Sequence, residues 1–145
     1  CGRARTGSYA EVAEVDEDTN PYELEIALID DLKPGDVAVL ACGGSSRIAP
    51  WGGLLSTATR VRGGVGCITD GFVRDIRDIR ELKLPVYSTG IAPLDSKGRG
   101  QVVAVDVPVI CDSVLVHPGD LVFGDADGAV VVQQAVQEPV QGHAT

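Results

Sequence analysis

WGGLLSTATRVRGGVGCITDGFVRDIRDIR, residues 51–80, reads as helix, strand, tight turn and helix in succession. Leu54, Leu55, Ala58 and Val61 form an apolar stripe at helical spacing behind the entrance Gly52-Gly53, and Gly63-Gly64 ends that helix. Val65 to Thr69 follows as a short strand, and Asp70-Gly71 turns the chain. A second helix, Arg74 to Leu82, carries Ile76, Ile79 and Leu82 on one side. Helices alternating with buried strands define an α/β layer, and in such layers ligands gather at the carboxyl ends of the strands.

Upstream, Asn20-Pro21 is a turn with Pro21 at a first helical position, and Leu24, Leu28 and Leu32 favour a short helix within Tyr22–Leu32. Lys33-Pro34-Gly35-Asp36 breaks it, Val37–Leu40 reads as a buried strand, and Gly43–Ser46 as a loop. Residues 1–20 read as a polar, acidic segment in which Glu11, Glu14, Asp16, Glu17 and Asp18 cluster. Downstream, Pro85–Ser88 is a short strand and Thr89–Gly100 an exposed loop. β-Branched runs then dominate at Val102–Val109, Ser113–Val116, Leu121–Phe123 and Ala129–Val132. Pro-Gly-Asp recurs at 34–36 and 118–120, a repetition that common turn chemistry explains. The expectation is one α/β domain over residues 1–145 with β-rich layers, helices packed on one side, and a polar tail at 134–145.

The 145 residues carry 12 Lys+Arg against 21 Asp+Glu, a formal charge of −9. That balance argues against nucleic acid and against anionic membrane surfaces as partners. With 44% hydrophobic and 23% charged residues the chain is not globally disordered. No apolar run approaches the ~18 residues of a membrane span, and no signal peptide opens the sequence. Cys1, Cys42, Cys67 and Cys111 are widely spaced, and three sit in apolar, β-like surroundings, which points to reduced core residues and a cytoplasmic setting. The absence of Met and the opening Cys1-Gly2-Arg3 lead us to expect a missing amino-terminal piece, and the polar tail after Gln133 a frayed or truncated carboxyl end.

Gly52 and Gly53 at a helix entrance leave amides without intrahelical partners, a natural carboxylate or phosphate site; the alternative is close packing beneath Trp51. Asp75 and Asp78, three apart near a helix start, present two hard oxygen ligands suited to Mg²⁺ or Mn²⁺, and Arg74 offers a planar fork for a carboxylate or developing enolate. Against this stands the alternation of Arg74, Arg77 and Arg80 with Asp75, Asp78 and Glu81, which also describes a solvated, ion-paired helix face. His117 and His143 lack partners at zinc-ligand spacing, and Asp125-Ala126-Asp127-Gly128 reads as a β-turn rather than a calcium loop. Ser45-Ser46 has no nearby histidine, and Gly63-Gly64-Val65-Gly66 precedes its strand, the wrong order for a dinucleotide fingerprint.

Trp51-Gly52-Gly53-Leu54-Leu55, Asp70-Gly71-Phe72-Val73-Arg74-Asp75, His117-Pro118-Gly119-Asp120 and Asp125–Val130, in that order, resemble the regulator-of-ribonuclease-activity A (RraA)-like family. Its members include metal-dependent 4-hydroxy-4-methyl-2-oxoglutarate aldolases and are often labelled dimethylmenaquinone methyltransferase-like. The resemblance implies a swivelling β/β/α fold, assembled as homotrimers or pairs of trimers with sites between subunits. In the aldolases an acidic residue, twenty residues and then Arg-Asp hold the metal and pyruvate. Arg74 and Asp75 match, Gly53 stands at the acidic position, and Asp78 supplies the alternative carboxylate seen among relatives that carry glycine there.

The implied function is a lyase on small 2-oxo acids, by aldol cleavage or oxaloacetate decarboxylation. Asp75 and Asp78 would hold Mg²⁺ or Mn²⁺, Arg74 would be the catalytic cation, and amides at Gly53, Leu54 and Leu55, with Arg74, would bind the substrate. The alternative is a non-catalytic regulator whose acidic surface, segment 11–18 included, engages a ribonuclease. The methyltransferase label is weaker, because no strand, glycine loop and helix occur in the order a nucleoside cofactor needs.

Overall fold

The computed structural model describes residues 1–14 and 17–134. Its main sheet is organised by β1 (Gly2–Glu11), which runs parallel to β2 (Asp36–Ala41) along one edge. The other edge of β1 is divided. Gly2 and Arg3 pair with β10 (Leu121–Asp125), whereas Gly7 to Glu11 pair with β7 (Gly100–Val105), both antiparallel. β3 (Gly66–Thr69) and β5 (Val86–Tyr87) extend the parallel half beyond β2, and β11 (Gly128–Val132) flanks β10. Among the described residues this is a seven-stranded sheet.

β2 is buried at every position because both of its faces are covered. Ala38 and Leu40 face helices α1 (Glu23–Asp30), α2 (Gly53–Val61) and α3 (Ile76–Leu82), where Leu28, Ile29 and Ile79 pack around Trp51 and Cys67. Val37, Val39 and Ala41 face the opposite way, onto Val122 and the hairpin of β8 (Val109–Cys111) and β9 (Val114–Val116). Each fully buried Val, Leu or Ile in these layers contributes roughly 1.5–3 kcal/mol. The result is the expected β/β/α layering, with the helices on one side. Cys42, Cys67 and Cys111 are buried free thiols, as expected of core residues.

The two Pro-Gly-Asp turns share one construction. Gly35 (φ 86°) and Gly119 (φ 89°) take the left-handed position, and the Asp36 and Asp120 carboxylates accept the amides of Lys33 (2.9 Å) and His117 (2.8 Å). They feed strands on opposite sides of β1, one parallel and one antiparallel, so the repetition is one of turn chemistry.

Three readings are corrected. Residues 2–11 are not merely a polar lead-in but the organising strand, buried through Gly2, Ala4, Thr6, Gly7 and Tyr9. On α2 the buried positions are Gly53, Ser56 and Thr59, while Leu54 and Val61 lie outside at 88% and 78% exposure, because small residues let α2 sit close to its neighbours. The run Val102–Val109 is broken at Asp106, whose positive φ (53°) turns the chain between β7 and β8. Within the 89–100 loop, Gly90–Ile91 forms a short strand β6 beside β4 (Phe72–Val73). The acidic cluster falls partly, and the tail from 135 wholly, outside the described residues.

Candidate active site

The site begins where β3 ends. Asp70 is buried, and its carboxylate accepts amides from Cys42 (2.6 Å), Gly44 (3.2 Å) and Asp112 (3.4 Å), so it staples loops together. The chain then extends through β4 and is pinned to the segment before α2, where Arg74 donates its amide to the Trp51 carbonyl at 3.0 Å. That pairing sets Arg74 and Asp75 directly against Gly52 and Gly53.

Asp75 adopts a left-handed backbone conformation (φ 60°, ψ 42°) just ahead of α3, which begins at Ile76 rather than at Arg74. Aspartate tolerates this region better than most residues, and such conformations concentrate at functional positions. The twist brings its Oδ2 to the Gly53 amide, which donates at 2.9 Å. The absent side chains are what permit the approach. A Cβ on Gly52 would lie 2.8 Å from Asp75 Oδ2 and 3.1 Å from Arg74 Cζ and Nε. One on Gly53 would lie 3.2 Å from Asp78 Oδ2. The glycines therefore admit the chain's own Arg74, Asp75 and Asp78.

Asp75 and Asp78 are solvent-exposed, yet they converge on one open cleft of about 410 Å³ bounded by Gly53, Leu54, Thr57 and Leu82. Among the described residues neither forms an ion pair with Arg77 or Arg80, as a self-neutralised helix face would. Arg74 leaves the helix for partners elsewhere: Nη1 donates to the Ala49 carbonyl, and Nη2 lies 3.4 Å from Asp95 Oδ1.

Behind Arg74 lie two tyrosine–carboxylate pairs. Tyr22 donates its hydroxyl to Asp95 Oδ2 at 2.5 Å, and the buried Tyr9 donates to Glu25. Burial raises the Asp95 carboxyl, but the Tyr22 hydrogen bond and the Arg74 charge outweigh it and hold it below the usual range. Tyr22 is pushed up to about 12 by burial and by Asp95. At Glu25 burial prevails over the Tyr9 hydrogen bond and Arg74, and its carboxyl is raised. A carboxyl raised on folding adds stability below its unfolded value of about 4.3 and loses it as pH climbs through the folded value. The stability of Glu25→Gln relative to the parent should therefore increase as pH rises from about 4, measured by urea unfolding at stepped pH.

Of the residues singled out by sequence, Gly53, Leu54, Asp75 and Asp78 line this cleft, while Arg74 lies against Gly52 beside it. Leu55 packs inward and Leu54 projects outward, both in the first turn of α2. Asp125 and Asp127 form the β10–β11 turn, with the Asp127 amide on Asp125 Oδ1 at 2.8 Å. Asp95, Tyr22 and Glu25 were not foreseen. Asp95 lies in an aperiodic loop, and Tyr22 reads as one more apolar helix position.

A β/β/α-layered domain in which a strand end delivers an Arg-Asp pair onto a glycine-opened helix defines a recognisable class of protein. The family model described as RraA-like, aldolase/RraA, matches residues 1–131, and the chain belongs to that family. It is 34% identical over 110 residues to a Halalkalibacterium halodurans protein named "Putative 4-hydroxy-4-methyl-2-oxoglutarate aldolase", covering 76% of this chain and 52% of that one. Among solved structures it resembles Streptomyces coelicolor RraAS2, described as an unusual member of the RNase ES inhibitor RraA family. The identity is 36% and the TM-score 0.83, over 99% of this chain and 69% of that one. An RNA-processing inhibitor RraA from a Thermus species is similar at 31% identity and TM-score 0.72, over 90% and 74% of the two chains. The chain spans about half the length of the curated relatives it matches. No helix among the described residues is long and apolar enough to cross a membrane.

Proposed function

We propose that this chain is a divalent-metal-dependent lyase acting on small 2-oxo acids, by aldol cleavage of 4-hydroxy-4-methyl-2-oxoglutarate-type substrates, by oxaloacetate decarboxylation, or both. The observation that carries the reading is the left-handed Asp75, locked on the Gly53 amide, with Arg74 and Asp78 against the same two glycines. Two carboxylates at the mouth of a cleft fit Mg²⁺ or Mn²⁺, which use few protein ligands and complete their shell with water and substrate. Among the described residues no group of three His, Cys, Asp or Glu side chains is placed to hold a metal, so an ion here would rest on Asp75 and Asp78 with water and substrate. A bound divalent ion would supply Lewis-acid polarisation of the 2-oxo group.

The protein's own groups divide the remaining work. Arg74, whose Nε edge faces Gly52, balances negative charge developing on the substrate oxygen. The amides of Leu54 and Leu55 in the first turn of α2 receive the substrate carboxylate, aided by the helix dipole. The Gly53 amide is committed to Asp75 and orients that carboxylate instead. The exposed Leu54 at the cleft mouth fits a site completed by a neighbouring copy in a homotrimer or hexamer.

The test is pyruvate release from oxaloacetate and from 4-hydroxy-4-methyl-2-oxoglutarate with Mg²⁺, with Mn²⁺ and with EDTA. Release above the rate of the same metal without protein should require the metal and vanish in EDTA; no excess over the protein-free rate under any condition would refute the reading. The regulatory alternative is favoured by the two RraA neighbours and by the charge of −9, which suits a basic partner surface. It predicts inhibition of an RNase E-type enzyme by a protein that releases no pyruvate.

A further inference from the structure

We infer that Asp95 is a positioning residue of this site: its carboxylate, held by the Tyr22 hydroxyl, fixes the Arg74 guanidinium so that the Nε edge faces Gly52 and the first turn of α2. The activity arm of this inference rests on the lyase reading above.

An arginine side chain retains about 2 kcal/mol of rotamer entropy when free, so a partly exposed guanidinium beside Gly52 needs anchors to hold one orientation. Arg74 has two. The Ala49 carbonyl takes Nη1, and Asp95 Oδ1 lies 3.4 Å from Nη2, leaving the Nε edge beside the Gly52 position. The Asp95 carboxylate is itself fixed, because its second oxygen accepts the Tyr22 hydroxyl at 2.5 Å. Its loop is tied to the same anchor segment: the Ala49 amide donates to the Leu94 carbonyl at 2.8 Å, and Arg99 Nη1 donates to the Asp95 carbonyl at 3.1 Å. One residue, Ala49, thus holds both the guanidinium and the loop that carries its counter-ion. The lowered carboxyl of Asp95 keeps that counter-ion charged at neutral pH.

The Arg74 and Asp95 side chains are 28% and 43% exposed, a setting in which an ion pair adds little to stability. Its worth is geometric. Small displacements of a catalytic group cost rate far more than they cost folding.

Asp95→Ala, Asp95→Glu and Tyr22→Phe separate the possibilities. With oxaloacetate and Mg²⁺, Asp95→Ala should lower kcat by about 10–100-fold with KM changed by less than about threefold. Asp95→Glu should recover part of the loss, and Tyr22→Phe should fall between the two. Mn²⁺ titrated alone should bind Asp95→Ala as it binds the parent. The melting temperature of Asp95→Ala should stay within about 3 °C. In ¹H–¹⁵N spectra the Arg74 Nε–H resonance, dispersed in the parent, should collapse toward the free-arginine position in Asp95→Ala. An unchanged Arg74 resonance, or a kcat loss that tracks unfolding and is not restored by glutamate, overturns the inference. If the parent releases no pyruvate at all, the lyase reading fails, and the Arg74 resonance alone still decides whether Asp95 orients the guanidinium.

Discussion

Asp75→Asn is expected to reduce metal-dependent pyruvate release from oxaloacetate by about 10²–10³-fold, the scale on which removal of one preorganised charge-stabilising group is felt. Asparagine is the informative replacement because it leaves the scaffold alone. It tolerates the left-handed conformation that Asp75 adopts (φ 60°), and its side-chain oxygen can still accept the Gly53 amide. Only the negative charge is lost. Calorimetric titration should show weaker Mg²⁺ binding, while circular dichroism and the unfolding midpoint stay near those of the parent. A variant with full activity would remove Asp75 from the mechanism.

Gly52→Ala should be nearly as damaging to activity, by about 10²-fold, without unfolding the protein. Its backbone is extended (φ −153°, ψ −166°), so alanine meets no conformational barrier. The added methyl would sit 2.8 Å from Asp75 Oδ2 and 3.1 Å from the Arg74 guanidinium. Both are ends of movable side chains, so the strain is relieved by swinging those groups aside rather than by disturbing the core. Kinetics alongside thermal unfolding test this pairing of effects. Loss of activity in step with loss of stability would mean that Gly52 serves packing alone.

These two residues show what a single sequence reveals. Asp75 was legible because carboxylates three apart beside an arginine, just after a strand and a tight turn, form a local pattern, and the resemblance sharpened it. The glycines were legible as an opening, but their occupant was not. Reserved in prospect for a ligand, the space is taken by the chain's own Arg74 and Asp75, which only tertiary contact could disclose. Asp95 was illegible because a loop has no period and its partner lies 21 residues away. β1 was missed for a related reason. Its buried positions ahead of Tyr9 are Gly2, Ala4, Thr6 and Gly7, small because neighbouring chain segments press close, and one large residue at the end leaves no hydrophobic alternation to read. The same preference for small contacts put Ser56 and Thr59 of α2 inside and Leu54 and Val61 outside.

The divided edge of β1 bears on how the molecule assembles. Gly2 must find Val122 and Tyr9 must find Val102, so two of the three strands that enclose β1 come from the far part of the chain. During synthesis β1 leaves the ribosome ahead of every partner it requires and meets only β2 early. Closing such distant pairings is entropically costly and slow, and meanwhile an open strand edge invites association with other chains. Refolding at high protein concentration should accordingly be the hazardous step in handling this protein, with yield governed by how soon the last strands arrive.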